Sequence, residues 1–127
     1  YTIITGGSYA AAYFAMLGRA FKPNATLMWP SAHAALMGPE QAATTLTMVR
    51  DNIHQREGSS WTDEEREEFK RPILRDFEAF ADPYNYARHL WCDMVIEPAE
   101  TREVMALLLD LAGRTPAKPT RFGVFRM

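Results

Sequence analysis

Apolar and polar positions follow two rhythms along the chain, strand-like at first and then predominantly helical. Residues 2–5 are mostly β-branched, which suits a short buried strand. Gly6-Gly7-Ser8 then reads as a turn, because glycine reaches backbone torsions closed to other residues. Ala10, Ala11 and Ala12, followed by Phe14, Ala15, Met16 and Leu17, predict a helix that stops at Gly18 and Pro23. The same order then returns. Residues 25–29 and 32–36 predict two short strands divided by Pro30-Ser31, and Met37-Gly38-Pro39 turns into a second helix. Pro39 fits the first helical position, where its missing N–H costs nothing. From Glu40, the apolar residues Ala42, Ala43, Leu46, Val49 and Ile53 recur at helical spacing until Gly58-Ser59-Ser60 ends the run.

The remainder is expected to be helical. Thr62-Asp63-Glu64-Glu65 is a capping box, in which Thr62 accepts from the N3 backbone and Glu65 reaches back. Phe69, Ile73, Phe77 and Phe80 form one apolar stripe, and Pro72 is expected to bend this helix. Asp82-Pro83 opens a short segment to Leu90, and Pro98 opens a last helix over 99–112 closed by Gly113. Residues 115–120, with Pro116 and Pro119, predict an extended tail, and Phe122-Gly123-Val124-Phe125-Arg126-Met127 reads as a finished terminus. There is no repeat of solenoid length and no low-complexity segment.

Composition sharpens the picture. The 127 residues are 47% apolar and 24% charged, the range of a globular domain rather than a disordered chain. With 14 Lys plus Arg against 16 Asp plus Glu, the formal charge of −2 gives no broad cationic field for a nucleic acid or an anionic membrane. The longest apolar runs, such as 105–109, are far short of the roughly 20 residues needed to span a bilayer. A soluble protein is expected. The single Cys92 forms no internal disulfide and predicts a reducing compartment. The chain opens on Tyr1 and runs straight into strand residues without an initiator Met, so it reads as a piece of something longer, broken upstream.

Candidate chemistry is sparse among the side chains. His33, His54 and His89 are scattered, and none stands at metal-ligand spacing from a second His or a carboxylate, so no metal site is expected. His33 reads as a packed or surface residue, Cys92 as a buried small hydrophobe, and the acidic run 63–68 as a solvated helix face. No nucleophile, base and orienter assemble. The turn and helix start from Gly6 to Ala12 are different: a strand that breaks into a helix through small residues leaves N–H groups free at the positive end of the dipole, where an oxyanion is held. From the residues alone, close packing of helix on sheet is the commoner explanation of the same small residues, since helix starts without ligands are the norm. A dinucleotide-binding turn does not, because Ala10 to Ala12 supply none of the later glycines it needs. Gly38 and Pro39 begin a second helix of the same kind, and two such starts facing one pocket would make a pair of oxyanion sites. Any catalysis should therefore run on backbone donors.

Taken together, several motifs resemble one family. Gly6-Gly7-Ser8-Tyr9 with its small-residue run and Met16, then Gly18-Arg19-Ala20-Phe21, Met28-Trp29-Pro30 and Met37-Gly38-Pro39-Glu40-Gln41-Ala42-Ala43 are similar, in order and spacing, to the carboxyltransferase (β) subunit of biotin-dependent acyl-CoA carboxylases. Phe69-Lys70-Arg71-Pro72-Ile73, Ala87-Arg88-His89-Leu90-Trp91-Cys92-Asp93, Ile96-Glu97-Pro98-Ala99-Glu100-Thr101-Arg102 and the closing segment 122–127 look like its methylcrotonoyl-CoA and geranyl-CoA branch.

The resemblance implies an α/β crotonase fold, with residues 1–127 forming the C-terminal portion of a carboxyltransferase C-domain. It implies a homohexameric β core in which the N-domain of one subunit holds an acyl-CoA and the C-domain of another holds biotin. The biotin would be carried by a biotin carboxylase/carrier α subunit, and the carboxyl group would pass from carboxybiotin to the acyl-CoA. Carried over by position, the backbone N–H groups of Ala11 and Ala12 would be the catalytic donors to the biotin ureido oxygen, with Gly7, Tyr9 and Ala10 completing the biotin-binding segment. Relatives usually carry Gly at Ala10, often at Ala12, and commonly at Pro39. A methyl at Ala10 or Ala12 therefore either narrows the pocket or demands a different backbone torsion. The family places such a protein in the bacterial cytoplasm or the mitochondrial matrix. Two other readings go with it: a carboxyltransferase of a biotin-dependent decarboxylase, and a non-catalytic assembly module that uses the apolar stripes of 69–80 and 107–111.

Overall fold

Two layers of short parallel strands organise residues 1–97. In the computed structural model, which describes residues 1–114 and Pro116, β1 (Thr2–Ile4) pairs with β3 (Thr26–Met28), and β3 with β5 (Met94–Val95), giving a three-stranded sheet in the order β1-β3-β5. The register sets Ile3 beside Leu27 and Met28 beside Val95. A second sheet pairs β2 (Gly7–Tyr9) with β4 (His33–Ala35), setting Gly7 beside His33 and Tyr9 beside Ala35. The chain therefore passes through one sheet, then the other, then a helix, twice over: β1-β2-α1 (Ala10–Ala15) and β3-β4-α2 (Pro39–Glu57).

This corrects the reading of Gly6-Gly7-Ser8 as a turn. Gly7 and Ser8 are strand residues, because the ladder to His33 and Ala34 supplies partners that local propensity does not reveal. Helix α1 also stops earlier than expected. Met16 caps it, and Leu17 takes the left-handed conformation (φ 63°) ordinarily given to glycine. Gly18 then serves packing, since a β-carbon there would lie 2.7 Å from the Tyr13 carbonyl oxygen and 2.9 Å from its ring. The expectation that everything after residue 62 is helical misses β5, two residues that complete the sheet beside β3.

The long helices follow the sequence closely. Helix α2 opens on Gly38 with Pro39 in its first turn and closes at Gly58, whose φ of 69° lies in the left-handed region that favours glycine. Helix α3 (Asp63–Ala81) begins at a complete capping box: Glu65 N–H donates to Thr62 Oγ1 (3.2 Å), and Thr62 N–H donates to Glu65 Oε2 (2.7 Å). It continues through Pro72 without interruption, and the short α4 (Pro83–Arg88) is capped by the Asp82 carboxylate. On α2 the buried face is Ala42, Ala43 and Thr47, whereas Leu46 and Val49, expected in the apolar stripe, are exposed. Thr47 is accommodated because its hydroxyl donates to the Ala43 carbonyl at 2.7 Å. The core sits between the sheets and α4, built on Ile4, Met28, Ala32, Ala34, Tyr86 and Cys92.

A separate compact unit starts at Pro98 and contains α5 (Thr101–Gly113). The expected helix over 99–112 is present, preceded by one tight turn over Pro98–Glu100. The tail expected over 115–120, Pro116 apart, and the terminus at 122–127 lie outside the described residues.

Candidate functional site

The segment singled out by its small residues forms the junction between β2 and α1. Tyr9 is the N-cap and provides no side-chain hydrogen bond to the helix start. The N–H groups of a helix's first turn have no partner within it, and Ala10, Ala11 and Ala12 are all exposed. Gly7 lies two ladder positions before Tyr9 in β2, where a β-carbon would come within 2.8 Å of the Tyr9 ring. Ala10 is the unusual residue. Its φ is 51°, in the left-handed region that favours glycine. The backbone at Ala10 thus holds a torsion that its methyl disfavours.

Beside this junction is a cavity of about 350 Å³ lined almost entirely by apolar surface. Ala10, Tyr13 and Phe14 contribute one wall, and Ala35 and Leu36, at the end of β4, another. Phe80, Tyr86 and Trp91 close it with aromatic rings, Trp91 stacking edge-on to Tyr86 at 5.0 Å and lying 5.3 Å from Phe80. Burial pushes the Tyr86 hydroxyl up to about 12, with Tyr13 and Cys92 acting in the same direction.

Among the described residues, one charged side chain lines the cavity, that of Arg19. Its Nη1 donates to Asp93 Oδ2 at 2.6 Å, and its backbone N–H donates to the Tyr13 hydroxyl at 3.2 Å. Asp93 also accepts from the Thr26 N–H at 2.8 Å, while its own N–H donates to the Thr26 carbonyl at 2.8 Å. Burial works to raise the Asp93 carboxyl, yet the Thr26 N–H and Arg19 together hold it below the usual carboxylate range. This clasp joins the start of β3 to the turn after α1 and fixes the guanidinium at the cavity.

Gly38 and Pro39 are elsewhere. Gly38 is buried at the N-cap of α2, and neither residue lines this cavity. His33 is exposed on β4, and Cys92 is buried, its thiol pushed up by burial. The acidic run 63–68 is largely exposed, as expected, with Asp63 paired to Arg66 and Glu67 to Lys70. Among the described residues there is no cluster of His, Cys, Asp or Glu fit for a metal ion, and no helix is long and apolar enough to cross a membrane.

A carboxyl transferase domain model matches residues 1–124, nearly the full length. The chain belongs to the carboxyl transferase domain family. This carboxyl transferase chain is 45% identical over 126 residues to the mitochondrial methylcrotonoyl-CoA carboxylase beta chain of Arabidopsis thaliana, covering 99% of this chain and 22% of the relative. It is 42% identical to the biotin-dependent 3-methylcrotonyl-coenzyme A carboxylase beta1 subunit of Mycobacterium tuberculosis, again over 99% of this chain and 24% of the relative. The β subunit of geranyl-CoA carboxylase from P. aeruginosa superimposes with a TM-score of 0.74 at 28% identity, covering 99% of this chain and 24% of that one. The crotonase fold expected from the motifs is therefore the fold observed. The chain spans under a quarter of the length of these relatives, which include both mitochondrial and bacterial proteins.

The sequence motifs included Gly18-Arg19-Ala20-Phe21 and the segment around Trp91 and Asp93 without giving those residues a role. The ion pair that joins Arg19 to Asp93 spans 74 residues, and no local pattern announces it.

Proposed function

We propose that this chain forms the biotin-side wall of a biotin-dependent acyl-CoA carboxyltransferase, acting on a branched, unsaturated acyl-CoA such as 3-methylcrotonoyl-CoA. The observation that carries the reading is the exposed Ala10–Ala12 helix start, with an unfilled N-cap, beside an apolar cavity in a chain whose relatives are methylcrotonoyl-CoA carboxylase β chains. Biotin, carried on a partner α subunit, supplies the group that bears and releases the carboxyl. The residues are compatible with such a group: an apolar, ring-lined space would receive a bicyclic head, and the backbone donors of Ala11 and Ala12, exposed beside the cavity-lining Ala10 though not themselves in the lining, would meet its ureido oxygen. Those N–H groups would stabilise negative charge on that oxygen, where one well-placed donor typically contributes ~100-fold or more in rate. The acyl-CoA binds mainly to parts of the protein outside these residues. The protein works in the bacterial cytoplasm or the mitochondrial matrix.

The test is carboxyl transfer from carboxybiotin to 3-methylcrotonoyl-CoA by the full-length protein. Transfer is expected, and a failure to carboxylate any acyl-CoA would overturn the reading. A second role in assembly is supported by the exposed Leu107, Leu109 and Leu111 of α5 and the exposed Leu46, Met48 and Val49 of α2, surfaces suited to neighbouring subunits of a β hexamer. Native mass spectrometry of the full-length protein should then show oligomers, and a monomer would refute that role.

A further inference from the structure

We propose that Ser59 is an acyl-accepting hydroxyl, activated by His54, at a second cavity formed where α2 turns into α3. The turn is decided locally. Gly58 takes the left-handed conformation (φ 69°) that closes α2, and the chain folds back over the last helical turn, the Ser59 N–H donating to the His54 carbonyl at 2.9 Å. This fold-back sets the Ser59 hydroxyl oxygen 2.8 Å from His54 Nδ1. The single hydroxyl proton has two acceptors in reach, Nδ1 at 2.8 Å and the His54 carbonyl oxygen at 3.4 Å, and the shorter contact takes it. In this assignment the neutral imidazole carries its own proton on Nε2, and Nδ1 is the base that receives the Ser59 proton.

The surroundings hold the base in place and leave the nucleophile open. His54 packs against the Trp61 ring at a centroid distance of 5.1 Å, and the Trp61 indole N–H donates to Asp51 Oδ1 at 2.6 Å. Packing, rather than a carboxylate, therefore orients the imidazole. Ser59 is exposed, and with His54 and Trp61 it lines a cavity of about 210 Å³, room for a short acyl group. Arg66 lines the same cavity, but its guanidinium is paired with Asp51 at 3.0 Å and Asp63 at 2.9 Å, which leaves little net positive charge to stabilise an oxyanion. A nucleophile and a base without a strong oxyanion site suit activated acyl donors, thioesters and aryl esters, and not amides. Ser59 Oγ bonds to the acyl carbon as its proton passes to His54 Nδ1. The bond from that carbon to the leaving sulfur or oxygen then breaks, and Nδ1 returns the proton to the leaving group or to water. The product is an O-acyl serine, and nothing is oxidised or reduced.

The experiment incubates the full-length protein with p-nitrophenyl acetate, and separately with acetyl-CoA, and follows acetylation residue by residue by tandem mass spectrometry. Ser60 is the internal control, an exposed serine in the same turn. Ser59 is expected to be acetylated at least about tenfold faster than Ser60, and His54→Gln should slow Ser59 by about tenfold or more while leaving Ser60 unchanged, since a positioned base typically contributes ~100-fold or more. Equal labelling of the two serines, or a Ser59 rate that His54→Gln does not alter, overturns the proposal. The comparison of the two serines in the wild type needs no variant, so it decides the matter even if His54→Gln does not fold. Labelling of Ser59 by p-nitrophenyl acetate and not by acetyl-CoA overturns thioesters as donors. Carboxyl transfer plays no part in either measurement, so the biotin-side reading stands or falls separately.

Discussion

Two alanines, two residues apart, should respond in opposite ways to the same substitution. Ala10 has a left-handed backbone (φ 51°), a conformation that costs an L-residue with a β-carbon about 1–2 kcal/mol relative to glycine. Ala12 lies inside α1, where glycine costs about 0.5–1 kcal/mol through the greater freedom of the unfolded chain. That unfolded-state cost is common to both variants. Ala10→Gly should therefore come out level or up to about 1.5 kcal/mol more stable than the wild type, the relief of strain offsetting the entropy. Ala12→Gly should be about 0.5–1 kcal/mol less stable. The difference between the two variants cancels the shared term and isolates the strain, about 1–2 kcal/mol in favour of Ala10→Gly. Urea titration followed by circular dichroism measures it, with the slope expected to be unchanged because neither variant alters the buried surface. Equal destabilisation by the two substitutions would refute the reasoning, since it would mean that Ala10 is not strained.

Other substitutions test the architecture. Leu27 is fully buried in the central strand β3, so Leu27→Ala should cost about 2–5 kcal/mol in the same titration. Thr62→Ala removes the side-chain half of the α3 capping box and should cost about 1 kcal/mol. The Tyr86 hydroxyl titrates near 12 in the folded protein against an ordinary 10.0. Because the folded value is raised, its contribution is complete below pH 10 and is lost as pH climbs through about 12, a fall of up to about 3 kcal/mol. Tyr86→Phe should flatten stability across that interval, and an unchanged alkaline decline would show that another group is responsible.

Local chemistry made some features legible in the sequence and left others hidden. The capping box at Thr62, the proline start of α2 and the glycine stop at Gly58 were readable because each is decided by neighbours in the chain. Strand β2 was not, because Gly7 and Ser8 are strand residues only through their pairing with His33 and Ala34. The two-residue β5 was missed for the same reason: Met94 and Val95 gain their conformation from Leu27 and Met28. At the candidate site, the small-residue junction was visible, but the positive φ at Ala10 was not, since alanine resists that torsion and only the folded backbone imposes it. The cavity was not, since its walls come from residues 10 to 91 and converge only in the folded chain. The stripe on α2 was over-read, because helical spacing marks one face of a helix without saying that every residue on it is covered: Leu46 and Val49 are exposed.

The parallel sheet has a consequence for how this molecule acquires its structure. A parallel pair cannot be closed by a hairpin, and Thr26 bonds to Asp93 across 67 residues of chain that contain α2, α3 and α4. Closing a loop of that length costs roughly 4 kcal/mol of chain entropy before any contact is gained. The two long helices can form and pack on each other beforehand, since their pairing is local, and doing so shortens the loop that remains to be closed. Docking of the segment from Trp91 to Ile96 onto β3 is then the late and slow step. Until it occurs, the Asp93 clasp, the aromatic wall and the cavity do not exist, so the candidate site should be among the last parts of the protein to become native.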